Sequence, residues 1–155
     1  MHIGSPAQVV VGALGTFGLD AGYYLYVGSA LNGLAGRLRR HCRTDGKKLH
    51  WHIDYLRAQV TLVEIWWTRS AERLECDWAA AVRGLPRASE PVAGFGASDC
   101  RCSSHLFYFA DKPSLDEFAA HWPNRIKQSP CRSPAAMHLR PRNGRRRSPL
   151  SHHCA

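Results

Sequence analysis

The chain has 155 residues, of which 45% are hydrophobic, so it can bury the core of one compact domain. Its formal net charge of +9 indicates a polyanionic partner such as nucleic acid or an anionic membrane surface. The sequence shows no secretory signal and no uncharged stretch long enough to span a bilayer, so we expect a soluble, cytoplasmic protein without a membrane partner. The six cysteines are expected to be thiols or metal ligands rather than a disulfide framework.

The first half of the chain is predicted to form two strands followed by two helices. Strands are expected over residues 8–11 and 23–27, where β-branched and aromatic residues are bounded by glycines. The Asn32-Gly33 turn begins a helix that runs to about Cys42. A short helix is predicted over residues 50–56.

The second half begins with a predicted strand over residues 60–67. Ser70 is the expected N-cap of a helix that ends at Arg83, just before Gly84. A last strand is predicted over residues 106–109, and only a weak amphipathic turn follows it, over residues 115–122.

The composition divides the chain into a domain over residues 1–110 and a basic tail over residues 111–155. Lys and Arg outnumber Asp and Glu by 12 to 9 in the first part and by 9 to 3 in the second. Beyond Pro123 the tail is rich in Pro, Arg and Ser and cannot bury enough apolar area to offset its ordering entropy, so we expect it to be disordered.

Four residues stand out as candidates for chemistry. Tyr26 lies just before a glycine turn, and Arg37 and His41 lie on the apolar face of the first predicted helix. Glu75 shares a helix face with apolar residues, where a carboxylate is costly unless it is paired or binds a cation. The alternatives remain open: a tyrosine that packs in a strand, an arginine that extends to solvent, a core histidine and an acid that stabilises a helix start.

A second group, Cys100, Cys102 and His105, has the donor types of a metal site. Together with His50 or His52 they would supply four ligands to a structural zinc ion, although the Cys-x-Cys spacing is tighter than that of the usual zinc fingers. The alternative is that these cysteines are buried thiols and that Asp99 caps a turn.

Five ordered blocks of sequence resemble the GIY-YIG nuclease superfamily, and in particular a branch of small proteins catalogued as a domain of unknown function. The blocks are Gly-Tyr-Tyr-Leu-Tyr-Val-Gly-Ser-Ala (22–30), Gly-Arg-Leu-Arg-Arg-His (36–41), His-Trp-His-Ile-Asp-Tyr-Leu (50–56), Leu-Glu-Cys-Asp-Trp-Ala (74–79) and Gly-Phe-Gly-Ala-Ser-Asp-Cys-Arg-Cys-Ser-Ser-His-Leu-Phe-Tyr (94–108). The likeness covers residues 12–109.

The resemblance implies a mixed α/β (α+β) fold in which a small antiparallel sheet is flanked by helices. It also implies hydrolysis of phosphodiester bonds in DNA with one Mg²⁺ or Mn²⁺ ion. Tyr26, Arg37 and His41 match the family's catalytic positions, and Glu75 matches its metal-binding glutamate. The basic residues that we expect to contact the DNA backbone are Arg39, Arg40, Arg43, Lys47 and Lys48.

Two other functions are compatible with the same residues. The chain could be a nucleic-acid-binding module of the same fold with little or no activity, or an interaction protein stabilised by zinc. One departure from the family bears on this choice: residues 1–7 contain no Gly-x-Tyr, the first half-motif. We therefore expect the first strand to be missing and a sheet edge to be exposed.

Overall fold

The computed structural model describes residues 1–30, 33–43, 48–122 and 126–130. These residues form a mixed α/β fold of small antiparallel sheets and four α-helices, which confirms the fold class. The strands are β1 (His2–Ile3), β2 (Ala7–Val10), β3 (Thr16–Leu19), β4 (Gly22–Tyr26), β5 (Glu64–Trp67), β6 (Leu106–Phe109) and β7 (Lys127–Pro130). The helices are α1 (Leu34–Cys42), α2 (His52–Arg57), α3 (Glu75–Arg83) and α4 (Leu115–Ala120).

Strand β4 is the centre of a three-stranded antiparallel sheet with β1 on one side and β6 on the other. Tyr23 lies opposite Phe109 and Tyr24 lies opposite Tyr108, so aromatic residues of the two strands face each other. The remaining strands form two antiparallel pairs: β2 with β3, which are adjacent in sequence, and β5 with β7, which are far apart in sequence. No helix in the described ranges is long and apolar enough to span a membrane.

The sheet separates two hydrophobic clusters, because successive residues of β6 point to opposite faces. Leu106 belongs to the cluster that contains Tyr24 and Phe95. Phe107 belongs to the cluster that contains Phe118, from α4. Burial on both faces explains why β6 is a continuous apolar run rather than an alternating one.

The edge of β4 that was expected to be exposed is paired with β1, which corrects the expectation of an exposed edge. His2 pairs with Tyr23 and Ile3 with Gly22. The Met1 ammonium donates to the Tyr24 carbonyl at 2.8 Å, and the Tyr24 N–H donates to the Met1 carbonyl at 3.0 Å. This pairing uses backbone groups alone and therefore needs no Gly-x-Tyr motif.

Two element boundaries differ from the sequence prediction. Helix α3 begins at Glu75 rather than after Ser70, whose hydroxyl instead accepts the Glu72 N–H at 2.9 Å and closes a turn. The strand predicted over residues 60–67 is shorter in the structure, where only Glu64–Trp67 form β5. Near the predicted start of that strand, Thr61 instead exchanges backbone hydrogen bonds with His2.

The packed structure continues beyond residue 110, where the sequence had placed the end of the domain. Ser114 caps α4 by accepting the N–H groups of Asp116 and Glu117, and Phe118 is fully buried. Strand β7 then pairs antiparallel with β5. Phe118 is the one buried residue of α4, and a single residue is too weak a periodic signal to predict a packed helix. The disorder expected of the remaining tail concerns residues 131–155, which lie outside the described residues.

Candidate functional site

The ring of Tyr26 is held in a slot between two glycines. A Cβ atom at Gly28 would lie 3.1 Å from Tyr26 Cε1, and one at Gly96 would lie 2.8 Å from Tyr26 Cε2 on the other edge of the ring. Gly96 also has a φ of +70°, a conformation that favours glycine. The slot therefore depends on the absence of side chains at both positions and fixes where the phenol points.

The hydroxyl of Tyr26 is hydrogen-bonded to Arg37, and the His41 ring lies edge-on to the Tyr26 ring at a centroid distance of 6.3 Å. Burial raises the pKa of Tyr26, and the nearby Arg37 cation only partly opposes that shift. Tyr26 is therefore a neutral phenol at neutral pH. It can donate a hydrogen bond or relay a proton, but it is not a standing phenolate base.

Glu75, the first residue of α3, ties that helix to the loop after β4. Its Oε2 accepts the Ser29 N–H at 3.0 Å, and its Oε1 lies 2.5 Å from the Arg73 guanidinium. Burial disfavours the charged form, but the hydrogen bonds from Ser29 and Arg73 outweigh it and lower the pKa of Glu75. The side chain is 10% exposed, so Glu75 is a nearly buried carboxylate fixed beside the end of β4.

One cavity of about 770 Å³ joins these candidate residues. Its wall includes Tyr26 from β4, Arg37 and His41 from α1, and Glu75 from α3. The structure thus brings together the four residues that the sequence analysis had singled out separately. The functional groups that line this cavity therefore include a neutral phenol, a guanidinium, an imidazole and a carboxylate.

An exposed tryptophan and two arginines form a patch next to the cavity. The guanidinium carbons of Arg37 and Arg40 lie 4.5 and 4.7 Å from the centre of the Trp51 ring, which is 38% exposed. Arg40 also bonds to the buried Asp54 at 2.6 Å and to the Lys48 carbonyl. The Arg40 guanidinium is therefore already paired with groups of the protein and is less available to bind DNA.

The other basic residues expected at DNA have fewer constraints. Arg39 and Arg43 on or beside α1 are exposed, and so is Lys48. Lys47 lies outside the described residues, and so does Asn32, which was expected to form the turn before α1.

Asp54 and Arg57 on α2 hold the patch and α1 in place, and the sequence analysis assigned neither a role. Asp54 accepts the backbone N–H groups of His50 and Trp51 at 3.1 and 3.2 Å. Arg57 donates to the His41 carbonyl at 3.0 Å and thereby anchors the end of α1. The position of Asp54 three residues after the helix start was the available signal, because an acid there accepts N-terminal N–H groups.

The second predicted group forms a cluster, but with a different fourth member. Cys100, Cys102 and His105 are joined by Cys76 from α3, and the four donor atoms all lie within 4.8 Å of one another. His52 Nδ1 instead accepts the Gly96 N–H at 3.0 Å, and the other suggested ligand, His50, lies against Trp51. The four donors form a group that can hold a metal ion.

Two arginines attach the loop that carries Cys100 and Cys102: Arg83 at the end of α3, and Arg73 just before the start of that helix. Asp99, which had been expected to cap a turn, bonds to Arg73 at 2.7 Å, and Ser103 accepts from Arg83 at 2.8 Å. Burial and then the neighbouring thiols raise the pKa of Cys102 to about 12. Cys76 was missed because it is distant in sequence and directly follows the more conspicuous Glu75.

A sequence model of one family, the domain of unknown function DUF123, matches residues 1–128. The match extends through α4 to the start of β7, in agreement with the packed structure beyond residue 110. No curated protein and no solved structure matches the chain. The family's description assigns no activity, so any function must be argued from the residues themselves.

Proposed function

Since the chain belongs to the family described as the domain of unknown function DUF123, we propose its function from its own site: a divalent-metal-dependent nuclease of the GIY-YIG type that hydrolyses phosphodiester bonds in DNA. The observation that carries this proposal is the single cavity shared by Tyr26, Arg37, His41 and Glu75. The four side chains come from three elements and supply the charge pattern that phosphoryl chemistry requires.

The carboxylate of Glu75 fits a Mg²⁺ or Mn²⁺ ion. Mg²⁺ usually binds one or two carboxylates and completes its shell with waters and substrate phosphate. The Ser29 N–H holds one oxygen of Glu75, whereas the other contacts Arg73, whose side chain is 53% exposed and which an ion at that oxygen would displace. The ion would act as a Lewis acid on a phosphate oxygen. The thiols around Cys76 do not suit this ion, because soft sulfur donors prefer zinc.

The protein's own groups would then bind and orient the phosphodiester. Arg37 supplies a guanidinium whose fork matches two non-bridging oxygens, where negative charge increases during the reaction. Tyr26, kept neutral by burial, would donate a hydrogen bond or a proton to a substrate oxygen. Because the glycine slot already holds the phenol at one position, little further conformational entropy is lost when the reactive complex forms.

A second candidate function, nucleic-acid binding without cleavage, is favoured by the patch around Trp51. A partly exposed indole with two guanidinium groups over its ring is a positive aromatic surface that suits a nucleic-acid backbone. The exposed Arg39 and Arg43 extend the positive surface along α1. This surface serves either function, so cleavage is the property that separates them.

The test is cleavage of supercoiled plasmid and of branched DNA at low salt with Mg²⁺ or Mn²⁺. Wild type is compared with Glu75→Gln, Arg37→Ala and Tyr26→Phe, and Asp77→Ala is the matched control, since Asp77 is an exposed acid on the same helix turn. Losses of about 100-fold or more are expected for the first three variants, because each removes a charge-stabilising or proton-transfer group. The control should cleave like wild type.

Gel retardation by the same proteins separates the two candidates. If Glu75→Gln binds DNA like wild type but no longer cleaves it, the nuclease proposal stands. If wild type retards DNA and never cleaves it with either metal, the binding module replaces the nuclease. Wild-type activity that persists in both Glu75→Gln and Arg37→Ala would reveal a contaminating nuclease or another site.

A further inference from the structure

We propose that Cys76, Cys100, Cys102 and His105 bind one structural zinc ion that fastens the start of α3 to the loop before β6. Zinc in structural sites takes four tetrahedral sulfur and nitrogen ligands, and three cysteines with one histidine are one of its standard sets. Because all four positions are filled by protein, no site is left for a reactive water, so the ion is structural rather than catalytic.

The positions of the donor atoms support a single ion. All four lie within 4.8 Å of one another, and Cys100 Sγ lies 3.5 Å from His105 Nε2. A tetrahedral zinc ion with Zn–S bonds near 2.3 Å places its sulfur ligands about 3.8 Å apart. The upper limit on the donor–donor distances therefore exceeds this separation by only about 1 Å.

The histidine is already oriented as a ligand. Its ring makes a hydrogen bond to the backbone of Gly96, and its Nε2 points to the cluster. Zinc-bound histidines usually donate their second ring N–H to a carbonyl or carboxylate, which fixes the tautomer. His105 is 1% exposed, and its backbone N–H donates to the Phe95 carbonyl at 2.8 Å. The residue therefore needs little reorganisation to bind an ion.

The cysteines lie on segments that nearby contacts hold together. Cys76 is in the first turn of α3, and the segment with Cys100 and Cys102 is bonded through Ser103 to the end of that helix and through Asp99 to Arg73, just before its start. The segment has no strand or helix of its own between Gly96 and Leu106. A metal that joins it to a helix supplies the cross-link that a backbone ladder would otherwise give.

The same ion would fix both halves of the cavity. Cys76 follows Glu75 directly, and His105 lies beside Gly96, one wall of the Tyr26 slot. The zinc proposal does not rest on nuclease activity, because zinc content and stability are measured without DNA. A nuclease that proves inactive leaves the zinc site intact, and an absent zinc site leaves cleavage to be tested separately.

The experiment measures zinc in the full chain purified without chelator, by elemental analysis and by release with a thiol-modifying reagent. We expect about one zinc ion per chain in wild type and in the control Cys42→Ser, whose thiol lies outside the cluster. Cys76→Ser and Cys102→Ser should weaken zinc binding by more than the roughly 10- to 100-fold that loss of an outer-shell partner costs. Chelation should also lower the melting temperature of wild type.

Replacement of zinc by Co²⁺ gives a readout that needs no variant. Three thiolate ligands in a tetrahedral site produce strong thiolate-to-cobalt charge-transfer bands together with tetrahedral d–d bands, and this spectrum is the expected result. The proposal is overturned if wild type, folded by circular dichroism, takes up neither Zn²⁺ nor Co²⁺ supplied alone. It is also overturned if the Co²⁺ spectrum lacks the charge-transfer bands, or if Cys76→Ser keeps the wild-type zinc content.

Discussion

Replacing Gly96 by alanine tests whether Tyr26 is held by the slot described above. The new methyl group would lie 2.8 Å from Tyr26 Cε2 and 3.3 Å from His105 Cβ. The room on the other edge of the ring is limited to what Gly28 leaves open, because a Cβ there would lie 3.1 Å from Tyr26 Cε1. The substitution must therefore shift the loop or turn the ring out of the slot.

Two terms contribute to the expected loss of stability. An L-residue with positive φ costs about 1–2 kcal/mol, and forcing a methyl group into a filled space costs about 1–3 kcal/mol more. Gly94 provides a matched control, since its φ is +73° but a Cβ there meets only Leu14 Cδ2, at an ordinary 3.7 Å. Gly94→Ala shares the backbone term and the unfolded-state term, so the difference between the two variants isolates the steric term.

The assay is urea unfolding of both variants with zinc present throughout, followed by plasmid cleavage. Gly96→Ala should unfold at a urea concentration lower than that of Gly94→Ala by about 1 M, as expected for a difference of 1–3 kcal/mol in a domain of this size. Its cleavage should fall toward that of Tyr26→Phe, whereas Gly94→Ala should stay active. Equal unfolding midpoints and equal cleavage in the two variants would refute the reasoning, because the ring would then not be confined by Gly96.

Three further predictions concern the surroundings of the site. Asp54→Ala should cost about 3 kcal/mol of unfolding free energy, because it removes the buried carboxylate that pairs with Arg40 and accepts the N–H groups of His50 and Trp51; the exposed Asp77→Ala should cost less than about 0.5 kcal/mol in the same urea titration. Phe118→Ala should cost about 3–5 kcal/mol, since the ring is fully buried between two tryptophans; no loss would place residues after 110 outside the domain. Arg39→Ala and Arg43→Ala should each reduce the slope of log K against log salt by about 1; unchanged slopes would remove both from the DNA interface.

The elements that sequence reasoning located are those with a strong local signal. The aromatic run of β4 and the apolar run of β6 are bounded by turn residues, and both strands were predicted within one residue. Strands β1 and β7 gave no such signal, because their pairing depends on backbone groups meeting distant partners. The glycine inside β3 likewise hid a strand that exists only through its hairpin with β2.

The site was predictable to the extent that its residues share one element or a recognisable block. The face common to Arg37 and His41 follows from helical spacing, and both residues do line one cavity. Periodicity did not reveal that Arg40 bonds inward to Asp54, since the partner is on another helix. For the same reason Cys76 was not grouped with the other thiols, although all four donors are adjacent in space.

The segment from Gly94 to His105 connects these observations physically. It is closed on itself by the Gly94 N–H to Ser103 carbonyl bond and the His105 N–H to Phe95 carbonyl bond, at 2.7 and 2.8 Å. Through Gly96 it also donates to His52 on α2 and forms one wall of the Tyr26 slot. The loop contains no strand that could pair with a neighbour. The proposed four-ligand metal site at its far end would fix it against α3 without occupying the cavity.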